Sequence, residues 1–315
     1  MGGSEAVRSV KKRRGLVSYL GSYLFLLPNF LGFLAFTVGP TLWSLLLSFT
    51  DWDILTPLRF VGFANFVKLL GFHRTATGGF APNDPYFWYY LWNTIFYMLF
   101  IPVGMGLSLV MALLLNQKIR GVIVYRTIYF LPTVCSGVAL ALLWRWLYNP
   151  DFGLINALLA KIGIDGPEWL SSTKWAKPAI AFMGLWGGLG GFNTILYLAA
   201  LQGVPRHLYE AAEVDGANYW QKFRYITLPS ITPTTFFIFV MSVIGGFQGG
   251  FMSAYIMTGG GPAGATTTID YYIYNNAYQW FKMGYASAIA WVLFLLVFGA
   301  TLLNWRYGGR RVKYV

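Results

Sequence analysis

The chain has 315 residues, of which 57% are hydrophobic and 11% charged, and its mean hydropathy is +0.54. A soluble protein needs roughly a quarter of its residues charged, so much of this chain is expected to lie in lipid. The net charge of +12 does not indicate nucleic-acid binding, because the basic residues collect at the ends of apolar runs. The single cysteine, Cys135, excludes an intrachain disulfide and a multi-cysteine metal site.

Six apolar runs are long enough to cross a hydrocarbon core of about 30 Å, which takes roughly 17 to 25 residues. They lie at approximately Leu20 to Ser48, Tyr90 to Leu115, Thr127 to Leu147, Pro178 to Leu201, Ile231 to Met257 and Tyr285 to Trp305. Lipid offers backbone amides no partner, and the runs lack the alternation of barrel strands, so each is predicted to be helical. The prediction is an all-α membrane protein whose six transmembrane helices occupy residues 20–305.

The first run follows the basic stretch 1–19, as the apolar part of a cleaved signal peptide would. It is too long for that alternative, and no small-residue cleavage site follows it, so it is interpreted as the first spanning helix. Pro28 and Pro40 are expected to bend this helix, since each removes a backbone hydrogen-bond donor.

The positions of Lys and Arg predict the orientation of the chain in the membrane. With the N-terminus inside, fifteen of these residues fall in inner segments and seven in outer ones. Arg145 lies near the outer end of the third run and is interpreted as an interfacial anchor. The basic termini 1–19 and 306–315 are therefore both predicted to be cytoplasmic. The outer loops 51–88 and 148–175 mix aromatic and turn-forming residues and are expected to form ordered caps.

Signatures of an internal energy source are missing from the sequence. No lysine is followed by Ser or Thr, as a phosphate-binding Walker A loop requires, and HExxH and GxSxG motifs are absent. Ionisable residues are nearly absent from the helix interiors, although an ion-coupled carrier usually needs them there. No catalytic or metal-binding residue is predicted. A secondary carrier or channel for a small neutral solute remains the alternative to a transporter driven by another protein, and an intramembrane enzyme is a third.

A polar segment, EAAEVDGANYWQKFRYITLP at 210–229, interrupts the apolar pattern within the inner loop 202–230. Pro205 suits the first position of a short helix, which Asp215 and Gly216 are expected to end. A second short helix, with Tyr219, Phe223 and Ile226 on one face, is predicted to end at Pro229. The loop should therefore form a rigid projection.

Two interpretations of this projection are open: docking to another protein, or an amphipathic helix lying on the bilayer. Glu210, Glu213 and Asp215 would face an anionic leaflet in the second case, so docking is favoured.

Glu210-Ala211-Ala212, then Gly216, then Ile226-x-Leu228-Pro229 resembles the EAA motif of membrane subunits of binding-protein-dependent ABC importers. RTIYFLP at 126–132 and YIMTGGGPAGATTTIDYYIYNNAY at 255–278 resemble the carbohydrate-uptake branch, of maltose or glycerol-phosphate type. The resemblance covers about residues 20–305. It implies a type I importer permease fold, in which the EAA helix enters a cleft on an ATP-binding subunit. The residues assigned to that coupling are Glu210, Ala211, Ala212, Asp215, Gly216, Ile226, Leu228 and Pro229.

The resemblance also implies partners and a location. A homologous second permease completes the pore, two ATP-binding subunits supply ATP and magnesium, and an external solute-binding protein delivers the solute. This chain would bind no cofactor of its own and would lie in a bacterial or archaeal cytoplasmic (inner) membrane. Some maltose-type relatives carry two additional N-terminal helices and a large external domain after the third helix, whereas six helices and modest outer loops are expected here.

The substrate pathway is predicted from side chains that suit sugars, namely aromatic faces and amides within apolar helices. The candidates are Trp186, Asn193, Gln248 and Tyr255. Helix packing is the alternative reason for the glycines beside them, and interhelical hydrogen bonding for the amides. The glycine-rich stretch Thr258 to Thr268 is expected to be a flexible connection. A sugar, an oligosaccharide, a polyol or glycerol phosphate would fit, and the scarcity of Lys and Arg in the helices disfavours a strongly anionic solute.

Overall fold

The computed structural model describes residues 21–117 and 120–308, so the terminus 1–19 and residues 309–315 lie outside the described part. Two short antiparallel hairpins lie among the helices, pairing β1 (Thr50–Asp51) with β2 (Arg59–Phe60) and β3 (Phe72–Arg74) with β4 (Phe80–Pro82). The helices in chain order are α1 Gly21–Ser48, α2 Ala64–Leu70, α3 Pro85–Leu115, α4 Val122–Val134, α5 Gly137–Leu147, α6 Leu154–Lys161, α7 Ala176–Leu189, α8 Phe192–Gln202, α9 Arg206–Val214, α10 Tyr219–Lys222, α11 Thr232–Gln248, α12 Phe251–Ser253, α13 Ile269–Tyr274 and α14 Met283–Gly308.

The predicted helical membrane architecture is confirmed, with one correction. Five helical stretches in the described residues are long and apolar enough to span a membrane: α1, α3, Ala176–Gln202, Thr232–Thr258 and Met283–Arg306. The third predicted span is not one continuous helix. Instead, α4 and α5 meet at an angle of 98°. Cys135 and Ser136 between them take extended backbone conformations, and Pro132 within α4 lacks the amide donor that would hold the helix straight.

The first span is one continuous helical stretch, with a π-turn close to one of its two prolines. A π-turn, Leu34–Val38, comes immediately before Pro40, and the Gly39 amide bonds to the Leu34 carbonyl five residues back. This wider turn accommodates a proline that cannot donate to the preceding turn. The helix continues through Pro28.

The loops 51–88 and 148–175, which are predicted to be outer, are ordered as expected. Besides the hairpins, the Asn65 side chain donates to the backbone carbonyls of Ser48 and Thr50 at 3.0 and 2.8 Å, which fixes the first hairpin on the end of α1. In the second outer loop, the Trp169 indole donates to Asn156 of α6 at 2.6 Å. Polar side chains thus satisfy the backbone where the helices end.

A buried carboxylate ties three elements together at this end of the molecule. Asp84 caps α3 by accepting from the Phe87 amide, and the hydroxyls of Tyr272 and Tyr285 both donate to its second oxygen. Asp84 is 6% exposed, so these bonds replace its hydration. Burial, together with the bond to Asp84, raises the pKa of Tyr272 above its ordinary value.

The glycine-rich stretch between α12 and α13 is compact rather than a flexible connection. Thr266, Thr267 and Thr268 are buried, and the Thr267 hydroxyl donates to the Gly260 carbonyl at 3.0 Å. Fully buried Asn93 of α3 donates to two carbonyls of the stretch, at 2.8 and 3.0 Å. Hydrogen bonds within the stretch and to α3 therefore hold it in one conformation.

Candidate functional site

The loop 202–230 projects as two short helices joined by a tight turn. Helix α9 ends at Asp215, and Gly216 takes the left-handed conformation with φ of 75°. The amide of Ala217 returns to the Ala212 carbonyl at 2.8 Å and that of Gly216 to the Glu213 carbonyl at 3.1 Å, the bonds of a Schellman motif. The expected end of the first helix is confirmed. Pro205, however, is the N-cap, and Arg206 is the first helical residue.

The second half of the loop differs from its prediction. Asn218 and Gln221 form a reciprocal capping box that begins α10. A π-turn, Phe223–Thr227, follows, and the helical path continues beyond Pro229 to Ser230. Pro229 therefore does not end the segment. The wide turn before it absorbs the missing proline amide, as it does before the proline in α1.

Side-chain contacts brace the two halves against each other. Lys222 Nζ lies 2.7 Å from Glu213 Oε1, and the Tyr209 hydroxyl lies 2.8 Å from that of Thr227. The hydrogen bond and positive charge of Lys222 lower the pKa of the Glu213 carboxyl below its ordinary value. Arg206 pairs with Glu210 at 2.9 Å along the exposed side of α9.

The braced loop presents an exposed surface. His207, Glu210, Ala211 and Val214 lie at helical spacing, and all four are exposed, whereas Tyr209 and Ala212 face inward. Val214 is 89% exposed and Trp220 of α10 is 67% exposed. Such a surface suits contact with another protein, since small and apolar groups are uncovered while the backbone is held rigid.

Predicted coupling residues occupy two regions of the loop. Glu210, Ala211, Ala212, Asp215 and Gly216 belong to α9 and its turn. Ile226, Leu228 and Pro229 instead lie on the π-turn and the helical turn that lead into α11. The second set therefore connects the exposed surface to the fifth span.

A second candidate site is a cavity of about 310 Å³ between α3, α7, α8, α11 and α12. Its lining includes the hydroxyls of Tyr97, Ser108, Ser242 and Ser253 and the amide of Asn193, and no charged residue is found among the described residues that line it. The Tyr97 hydroxyl is buried, with no hydrogen-bond partner in the described structure. A buried hydroxyl without a partner is costly, so this group is available to a solute that enters the cavity.

The fourth span breaks beside this cavity, at Gly190 and Gly191 between α7 and α8. A Cβ on Gly190 would lie 1.6 Å from the Tyr129 carbonyl oxygen, so only glycine permits this approach of α4. The Thr194 hydroxyl donates to the Leu189 carbonyl at 2.7 Å, and the Ser108 hydroxyl donates to the Gly188 carbonyl at 3.1 Å. Close packing, the alternative interpretation of this glycine run, therefore explains Gly190.

The fifth span breaks on the facing side, where Gly249 is extended and Gly250 is left-handed with φ of 103°. A Cβ on Gly250 would lie 2.7 Å from Thr268 Cγ2, so this position also requires glycine. The Phe251 amide, the first beyond the break, donates to Asp270 Oδ2 at 2.7 Å. Burial raises the pKa of Asp270, while its hydrogen bonds to Thr268, Phe251 and Tyr271 oppose that shift. Broken helices can line solute cavities in membranes because their free backbone groups face the cavity.

Among the predicted pathway residues, only Asn193 lines the cavity. Gln248 is the exposed last residue of α11, between two glycines that do line it. Tyr255 lies beyond the break, 46% exposed and stacked on the Phe251 ring at 5.5 Å. Trp186 packs edge to face on Trp144, with ring centroids 5.5 Å apart. The cavity therefore unites Asn193 with groups that were not predicted.

Sequence reasoning did not identify Tyr97, Ser253 or Asp270. The glycine pairs at 190–191 and 249–250 were the available signal of these residues. Such pairs indicate a break in a membrane helix, and a buried break needs nearby polar groups that bond to its free backbone amides and carbonyls. Nothing in the linear pattern showed that Asp270, on the far side of the glycine-rich stretch, would supply one.

Comparison with known proteins identifies similar chains. The family described as "Binding-protein-dependent transport system inner membrane component" matches residues 104–307. The probable ABC transporter permease protein YesP of Bacillus subtilis (strain 168) is 37% identical over 97% of this chain and 96% of its own length. The lactose transport system permease protein LacF of Rhizobium radiobacter is 35% identical over 93% and 95%, respectively.

A solved structure is similar over the whole chain. A chain of a bacterial ABC transporter involved in the import of the acidic polysaccharide alginate superposes with a TM-score of 0.80 at 27% identity. The match covers 98% of this chain and 100% of the other.

Proposed function

Since the chain belongs to the family of binding-protein-dependent transport system inner membrane components, we propose that it is the permease that moves a carbohydrate into the cytoplasm for an ATP-driven importer. The observation that carries this proposal is the braced loop 202–230, whose exposed face leads along an almost continuous helical path into the fifth span. A self-sufficient carrier or channel has no need of such a projection.

The coupling follows from the rigidity of the loop. ATP-binding subunits hold α9 and close on ATP, and their movement passes through the bond between Tyr209 and Thr227 to the π-turn and on to α11. Ile231, where the path enters α11, is fully buried against Met105 and Tyr197 of the neighbouring spans. A displacement of the loop therefore shifts the packed helices around the cavity together, because a close-packed core does not deform continuously.

The cavity would give the solute a path of weak hydrogen bonds. Asn193 and the Tyr97, Ser242 and Ser253 hydroxyls can each pair with a sugar hydroxyl. Tyr255 and Phe251, stacked beyond the break, offer aromatic faces to the C–H surface of a ring. The homologous second permease completes the passage, and a solute-binding protein delivers the solute from outside. Gln248 and Trp186 stay predicted pathway residues at the margins of this arrangement.

The orientation is part of the proposal. The excess of Lys and Arg on the side of the loop 202–230 supports a cytoplasmic location for that side and for both termini. The membrane would be the cytoplasmic membrane of a bacterium or archaeon, and magnesium and ATP would bind the partner subunits.

The test is uptake into proteoliposomes that contain the complete importer, with lactose as the probe. We expect uptake to require ATP and the ATPase subunits, and Asn193→Leu to reduce it about tenfold through the loss of an amide from the path. Asn116→Leu, an exposed amide at the end of α3, is the matched control. Uptake without the ATPase would indicate a secondary carrier, and unchanged uptake in Asn193→Leu would remove that residue from the path.

A further inference from the structure

The carboxylate of Asp270 occupies the backbone break in the fifth span. Its Oδ2 accepts from the Phe251 amide at 2.7 Å, and its Oδ1 accepts from the Tyr271 amide at 2.9 Å and from the Thr268 hydroxyl. Gly250, which lines the cavity, lies directly against Thr268. One carboxylate thus engages the first amide beyond the break, one residue after the glycine that lines the cavity.

This arrangement has an electrostatic consequence. In a broken transmembrane helix, the free amides at the start of the second half attract the negative group of a solute. Here the leading amide already bonds to a carboxylate of the same chain, so it does not offer that attraction. An anionic solute at Gly249 and Gly250 would instead meet the negative charge of Asp270 across the break.

The described residues that line the rest of the cavity supply no compensating positive charge. Acidic sugars and phosphates are usually bound by Arg or Lys, whose charge-assisted hydrogen bonds are the strong ones. The described residues that line this cavity include neither Arg nor Lys. Its polar groups are hydroxyls and one carboxamide, among them the unpartnered Tyr97 hydroxyl. Such groups bond well to the hydroxyls of an uncharged solute.

We infer that the cavity accepts an uncharged, polyhydroxylated solute and rejects one that carries a carboxylate or phosphate, and that Asp270 is the positioning residue that sets this selectivity. The inference rests on the proposed function, because it requires the solute to pass through the cavity. It also separates this chain from the similar permease of an importer of an acidic polysaccharide. Asp270 acts twice, since it holds the outer half of the span in place and contributes the charge that an acid would meet.

The test measures weak solute binding to the detergent-solubilised importer without its solute-binding protein, so that selectivity of that protein does not contribute. Saturation-transfer NMR is recorded with methyl glucoside and with methyl glucuronide, which share a ring and differ in charge. We expect signal from the neutral probe and at least about tenfold less from the acid with the unaltered chain. Asp270→Asn keeps the shape and an acceptor for the Phe251 amide, and should raise the acid signal relative to the neutral one about tenfold.

The ratio of the two signals distinguishes selectivity from a merely structural role, because a loosened span would lower both signals together. Asp151→Asn, an exposed carboxylate of an outer loop, is the control and should leave the ratio unchanged. Equal binding of the two probes by the unaltered chain, or an unchanged ratio in Asp270→Asn, would overturn the inference. If Asn193→Leu leaves both signals and ATP-driven uptake unchanged, the proposed path through the cavity fails instead, and the inference fails with it.

Discussion

Lys222 Nζ lies 2.7 Å from Glu213 Oε1, and this ion pair joins the two helices of the exposed loop across the Gly216 turn. Lys222 is largely covered, whereas the glutamate is exposed. The segment between the two paired residues also contains the capping box of Asn218 and Gln221. The loop therefore keeps its shape before any partner binds, so little conformational entropy is lost on docking.

Glu213→Gln should loosen this loop near neutral pH. Because Lys222 lowers the pKa of Glu213, the ionised pair stabilises the folded loop above the ordinary carboxyl value of 4.5, and that contribution is lost as the pH falls through the lowered pKa. Amide hydrogen exchange at residues 217–222 should be faster in the variant at pH 7, and the ratio of variant to wild-type rates should approach one as the pH falls below the lowered pKa of Glu213. Glu168→Gln, in an outer loop, is the control. A ratio independent of pH would show that the pair does not brace the turn.

Gly216→Pro should abolish association with the ATPase, because proline fixes φ near −65° and Gly216 has φ of 75°. Gly216→Ala meets no atom within 4 Å and should cost only the left-handed strain of about 1 to 2 kcal/mol. Co-purification of the ATPase with each variant measures the effect, and we expect a complete loss for proline and a partial loss for alanine. Normal assembly and solute-stimulated ATP hydrolysis in the proline variant would show that the loop is not the docking element.

Asn93→Ala should destabilise the packing of α3 against the glycine-rich stretch by about 2 to 4 kcal/mol, since the carbonyls of Gly264 and Thr267 lose their donor. Thermal unfolding in detergent measures the change. Asn116→Ala removes an amide that is exposed at the end of the same span and should have little effect. Equal melting temperatures for the two variants would mean that the conformation of the glycine-rich stretch Thr258 to Thr268 does not depend on Asn93.

Tyr272→Phe should lower stability by about 1.5 to 3 kcal/mol, because the bond to the Asp84 carboxylate is buried. The raised pKa of Tyr272 makes its contribution complete below pH 10 and lost as the pH rises above that value, so the variant should melt with a weaker pH dependence in alkali. Tyr278→Phe, an exposed tyrosine nearby, is the control.

A double-mutant cycle with Asp84→Asn isolates the bond between Asp84 and Tyr272. The two changes together should cost less than their sum, since each removes the same interaction. Strict additivity would show that the two side chains act independently.

The positions of the spans followed from apolar length alone, because lipid forces such runs to be helical whatever their contacts. The same reasoning could not find the break at Cys135 and Ser136, where a run of adequate length turns by 98°. Hydropathy reports how favourably a segment transfers into lipid, but it does not report whether the helix axis changes direction within that segment. Pro132 was visible in the run, but a proline within a membrane helix is often accommodated without a sharp bend.

The exposed loop was predictable in its first half and not in its second. A glycine at position 216, directly after a helical pattern, is a local signal for the end of a helix. The hydrogen bonds that form this helix end join residues close in sequence, so a short window of sequence contains them. The π-turn before Pro229 depends on how the chain joins α11, which no short window contains. Long-range pairs such as Asn93 with Thr267, 174 residues apart, are invisible for the same reason.

Helices α1 and α4 bury little of their surface within the chain. Only 6% of the most apolar window of α1 is buried, and α4 has no buried residue. During synthesis, α1 reaches the bilayer before any later span exists, and in the finished chain the other spans still leave most of its surface uncovered. A subunit made without its partners would therefore expose two sparsely covered helices to membrane proteases, so its lifetime in the cell would depend on how soon the rest of the complex covers them.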